Sequence, residues 1–161
     1  MESPNWDDTF TYARITYDGE TDLTGNFVNE CIHKYLGLDY KDVYFTNSVL
    51  YLPKKNQHGK HEVRNNQIIN CAFNIKKVIN CIDPRIIVTM GIPALKASKK
   101  IQNHTLPLNL NSVAKRTEWY GRILFPMAHP SLLGRLPQNR NETLQRRDFM
   151  QLGRVMNVAI A

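Results

Sequence analysis

Two short runs, Ile86-Ile87-Val88-Thr89-Met90 and Ile123-Leu124-Phe125-Pro126-Met127, are apolar residue after residue. A strand with one wet face alternates apolar and polar side chains, whereas a strand covered on both faces does not. Such runs therefore predict a sheet buried between two layers of helices. Helical periodicity supplies those layers. Phe27, Val28, Cys31, Ile32, Tyr35 and Leu36 share one helical face, and Gly37 is a stop. Ile68, Ile69, Ala72, Ile75, Val78 and Ile79 mark a second helix. Pro93, favourable in a first helical turn, opens a third through Ala94, Leu95 and Ala97. The tail from about Asn141 to Ala161 reads as a last helix, and Val43-Tyr44-Phe45-Thr46 as a further short strand ending at Asn47. The expected fold is α/β: a three-layer α/β/α sandwich with a central parallel sheet, one domain over residues 1–161. Such a sheet wants a strand before the first helix. The opening Met1-Glu2-Ser3-Pro4-Asn5 reads instead as the loop after one, so that strand is expected to be missing or replaced.

Parallel sheets of this type place their sites at the C-terminal ends of the strands. Asn47, Gly91 and His129 are all expected at such ends. The segment Ala128-His129-Pro130-Ser131-Leu132-Leu133-Gly134-Arg135 is the richest of the three. It offers an imidazole, a hydroxyl and backbone N–H groups at a sheet rim, followed by two leucines and an arginine. That combination suits insertion between stacked bases and a grip on phosphate; an ordinary turn is the competing reading.

The chain carries a formal net charge of +7, with Lys54, Lys55 and Lys60 in a polar loop from Pro53 to His61. A basic balance favours a polyanionic partner, or is simply a solvated surface. The three cysteines, Cys31, Cys71 and Cys81, include no C-x-x-C pair. This speaks against a disulfide framework and a zinc site, and Cys71 and Cys81 read as buried fillers. No leader or membrane-spanning stretch is visible, so a reducing cytoplasm and a monomer are expected.

The order of these segments resembles the uracil-DNA glycosylase superfamily, nearest to its family-four enzymes. Met1-Glu2-Ser3-Pro4-Asn5 resembles that family's first loop, without its two glycines. Tyr44-Phe45-Thr46-Asn47-Ser48-Val49 resembles the second motif and Pro84 to Gly91, with Ala94, the third. Phe125 to Leu133 resembles the terminal His-Pro-Ser motif. Family-four enzymes hold an iron–sulfur cluster on four cysteines. Here Tyr51 stands where one ligand would fall and only Cys71 matches another, so no cluster, metal or other cofactor is expected.

The resemblance implies base excision from DNA, and each role has a candidate. Such an enzyme takes the base out of the stack and stabilises a cation-like sugar and an anionic leaving base. Asn47 would pair with the base edge, or is a turn Asn. His129 would donate to the leaving base, or cap backbone. Glu2 would orient water, with Asp7 and Asp8 as alternatives. Ser3 and Pro4 would border the base, and Tyr17 would stack on it or belong to the core. Leu132 and Leu133 would fill the gap left by the flipped nucleotide. Lys54, Lys55, Lys60, Arg64, Ser131 and Arg135 would meet the DNA backbone. Whether the base is uracil or a modified pyrimidine stays open. So do a catalytically weak DNA- or partner-binding module and, disfavoured by the basic loops, a nucleoside hydrolase.

Overall fold

The computed structural model describes residues 23–51 and 63–160. The elements are α1 (Leu23–Cys31), continued by a π-helical turn over Ile32–Leu36, then α2 (Asn65–Ile82), β1 (Ile86–Met90), α3 (Ile92–Ile101), β2 (Thr117–Trp119), β3 (Arg122–Met127) and α4 (Glu142–Ile160). The two apolar runs are indeed strands. They lie side by side and parallel, Ile86 opposite Ile123 through Met90 opposite Met127. The expectation of a parallel sheet needs correction. The described sheet is mixed, in the order β1-β3-β2, and β2 runs antiparallel to β3. Its turn, Tyr120-Gly121, takes φ +54 and +69. That is the left-handed pair a two-residue hairpin needs.

The pleat sorts strand residues between two cores. Phe125 and Met127 pack with Phe27, Val28, Cys31 and Ile32 of the α1 segment and with Phe149, Leu152 and Val155 of α4. Leu124 and Ile87 pack on the other side with Ile75 and Ile79 of α2, Leu95 of α3 and Trp119. Period-two alternation within each strand thus feeds two apolar layers, which is why both faces of the runs are apolar.

Two further expectations are corrected. Val43–Thr46 belongs to no strand: Val43 and Phe45 still point into the first core, and Tyr44 is 61% exposed. The alternation buries one side of an extended segment without a ladder. Cys71 is buried, but Cys81 is exposed. Ten residues at about 100° each carry it off the apolar face of α2.

The chain enters α4 through a buried ion pair. Arg140 Nε and Nη2 donate to the two carboxylate oxygens of Asp148, each at 2.6 Å, and Asp148 is 1% exposed. A bidentate pair of this kind fixes the arginine's backbone as well as its charge. Asp148→Ala should cost about 2–3 kcal/mol, because it leaves a half-buried guanidinium unmatched. Urea melts of the two proteins measure this. A loss under about 1 kcal/mol, the scale of an exposed pair, would show the pair to be dispensable.

Candidate active site at the strand ends

Both parallel strands finish at the same edge, and the chain there turns tightly. Gly91 N–H donates to the Met127 carbonyl at 2.8 Å, one step beyond the last strand pair. Gly91 then caps α3 at φ +88, ψ 166, a backbone conformation essentially closed to other residues. A Cβ there would also lie 3.2 Å from the Cβ of His129 and 3.5 Å from its ring Cδ2. Glycine is what lets the two strand ends close on each other.

His129 sits on this rim. The Ser131 backbone N–H donates to its Nδ1 at 3.2 Å. That bond makes Nδ1 the acceptor and puts the proton of the neutral ring on Nε2. Part of the residue is exposed, yet the surrounding protein still withholds water from the ring, and this burial lowers its pKa below the usual 6.5. The site therefore favours a neutral imidazole whose free nitrogen is a donor.

Ser131 builds the loop in a second way. Its Oγ accepts from Gly134 N–H at 3.2 Å, and its carbonyl accepts from Arg135 N–H at 3.1 Å. These bonds wind the short 3-10 turn Leu133–Arg135. The turn displays Leu132 at 56% and Leu133 at 73% exposure. These two adjacent side chains lie on the surface beside the His129 loop. A cavity of about 250 Å³ opens beside them, lined by Gly91, Ile92, Leu110, Ala128, His129, Gly134, Asn139 and Arg140.

Arg135 is placed differently from the phosphate contact expected of it. Its Nη2 donates to the Leu23 carbonyl at 3.2 Å, its Nη1 meets Glu142 Oε2 at 3.3 Å, and its guanidinium lies 4.5 Å over the Phe27 ring. It ties the loop to α1 and α4. Arg146 lies over the same ring at 5.1 Å and holds Glu30 through two bonds of 2.6 and 3.0 Å. That pairing keeps the Glu30 carboxyl below its usual range. A groove of about 500 Å³ beside Glu30, His33 and Asp39 lies along this α1 side, away from the strand ends. Asn47 is half-buried in the segment after Thr46, not at a strand end. Arg64 is exposed at the start of α2, where its N–H donates to Gln67 Oε1. Glu2, Ser3, Pro4, Asp7, Asp8, Tyr17, Lys54, Lys55 and Lys60 lie outside the described residues.

Sequence reasoning missed Gln145 and Asp148, both 1% exposed beneath the loop. Their signal was a polar residue on an apolar helix face, at helical spacing from Phe149 and Leu152. The cysteines do not assemble a cluster ligand set. Cys31 lies in the first core with its thiol pKa pushed up to about 12 by burial, and Cys71 Sγ accepts the Leu50 N–H at 3.4 Å. Among the described residues, no group of three metal-binding side chains converges.

Imidazole ¹⁵N signals of His129, followed against pH, test the electrostatics. The proton should sit on Nε2, and protonation should occur below pH 6.5. Because the unfolded chain binds this proton more readily, the neutral ring's contribution to stability is full above the unfolded pKa. It is lost as pH falls through the lowered folded value. A midpoint at or above 6.5 would refute the assignment.

The family model described as the uracil DNA glycosylase superfamily matches residues 8–152. A curated relative, the type-4 uracil-DNA glycosylase of Saccharolobus solfataricus, is 26% identical over 113 residues. That match covers 68% of this chain and 50% of the relative, so the chain spans about half the length of the protein it matches.

Proposed function

The chain belongs to the uracil DNA glycosylase superfamily, and on that premise we propose that it flips uracil or a modified pyrimidine out of DNA and hydrolyses its N-glycosidic bond. The observation that carries this reading is the His129 imidazole, held neutral at the rim with Nε2 as donor. As the bond between C1′ and the base nitrogen breaks, its electron pair goes to the base. A fixed donor facing the base's carbonyl oxygen stabilises that developing charge. Water adds to C1′, and the products are an abasic site and the free base. Glu2 is assigned to orienting that water.

The other roles follow from chemistry. The Asn47 amide, donor and acceptor together, would read the Watson–Crick edge of the flipped base, bordered by Ser3 and Pro4 and stacked on Tyr17. Leu132 and Leu133 are exposed as a wedge for the vacated stack would be. Lys54 and Lys55 would hold phosphate. The cavity of about 250 Å³ suits a single ring; drug-sized sites run to roughly 300–1,000 Å³. The frame we infer is the three-layer α/β/α sandwich, supported by the two cores on opposite faces of the sheet.

The test is incubation with oligonucleotides carrying uracil or modified cytosines, single- and double-stranded, followed by alkali. Strand breaks appearing only after alkali report an abasic product. On the best substrate, His129→Ala should slow single-turnover excision on the order of a hundredfold while DNA affinity holds. Asn47→Ala should lower both rate and base selectivity. Parent-like rates in both variants would refute the site. A parent that binds DNA but cuts nothing would make the fold a binding module.

A further inference from the structure

The loop from His129 to Arg140 carries both the imidazole and the exposed leucines, and one buried side chain holds it from beneath. Gln145, in the first turns of α4, is 1% exposed. Its Nε2 donates to the carbonyls of Arg140 at 2.9 Å, Gly134 at 3.0 Å and His129 at 3.4 Å. The nitrogen has two hydrogens, so the longest of these bonds is shared. The three acceptors are widely separated stations: the backbone behind the imidazole, the turn just past the leucines, and the entry to α4.

The loop is folded tightly enough for one amide to reach all three. A Cβ on Gly134 would lie 2.0 Å from the His129 carbonyl oxygen, so the two ends of the leucine segment touch through backbone. Helix α4 does not itself need a polar group at this position. Asp148, one turn on, is buried against Arg140, and Phe149 and Leu152 along the same face are buried and apolar. A buried amide is costly unless its bonds are made, and here the loop's carbonyls make them.

We propose that Gln145 is a positioning residue for base excision. It joins the imidazole-bearing and leucine-bearing ends of the loop into one rigid piece, so that wedging the stack and presenting His129 to the flipped base are a single movement. Gln145 touches neither DNA nor base, and the proposal rests on the glycosylase reading above.

Gln145→Met keeps the side chain's length and removes its donor. Single-turnover excision should fall on the order of tenfold to a hundredfold, since small misplacements of a catalytic group cost that much, while affinity for an abasic duplex stays within about threefold. The His129 imidazole ¹⁵N signals should shift in the variant. In the parent, the Gln145 side-chain amide protons should exchange slowly with solvent. A parent-like rate, unmoved imidazole signals, or fast amide exchange each overturns the proposal. Should Gln145→Met not fold, Gly134→Ala parts the same loop ends without altering the amide. It should show the same loss, and a parent-like rate there is equally fatal. If the parent excises no base, the glycosylase reading fails by itself. The imidazole signals then decide the rest: movement in Gln145→Met keeps Gln145 as the loop's anchor, and no movement removes it.

Discussion

The parallel pairing of β1 with β3 governs everything at the rim of this molecule. Because the strands end in register, Met90 opposite Met127, the chain segments that follow them are forced into one small volume. The Gly91 N–H to Met127 carbonyl bond extends the pairing by one residue and fixes how close they come. The α3 start and the His129 loop then share a wall. A slip of one residue would turn Phe125 and Met127 away from their core and carry His129 from the cavity. The two cores hold the register, and the register holds the imidazole.

Charge is distributed in a way the net value of +7 conceals. Arg122 is engaged with Asp83, Arg140 with Asp148, Arg146 with Glu30 and Glu142, and Arg135 with Glu142 and a backbone carbonyl. These arginines serve as fasteners between elements. Two of them bracket the Phe27 ring, so the loop bearing the leucines is bolted to the first helix through an aromatic face. Any attraction for a polyanion would therefore fall to the remaining cations, many of them lysines on α2 and α3 and in the sequence between Tyr51 and Val63.

Much of this was legible in the chain, for identifiable reasons. The strands β1 and β3, the helices and the placement of His129 follow from local apolar pattern and from one short motif. Strand β2 was not read because Thr117-Glu118-Trp119 is too short to show a period, although Tyr120-Gly121 carried a turn signal. Val43–Thr46 had the alternation of a strand and the burial of one, but strand identity depends on a partner, which local pattern does not supply. Arg135 looked like a phosphate ligand because its partners come from the two helices that flank the loop, one of them Glu142 at the start of α4. Its acceptor on Leu23 lies 112 residues away. A polar Gln145 on the apolar face of α4 was the one hint of the loop's dependence on it, but side-chain pattern does not say which backbone carbonyls such an amide reaches.

The brevity of β2 bears on how the protein behaves in a crowded solution. A sheet edge is a template for other strands, and long flat edges invite copies of a protein to stack into aggregates. Here the antiparallel edge is three residues long, its middle residue is the exposed Glu118, and a twisted hairpin turn closes it at once. A carboxylate in the middle of so short an edge would repel the same carboxylate on an incoming copy. The strand least visible in the sequence is thus the one that blunts this edge of the described sheet.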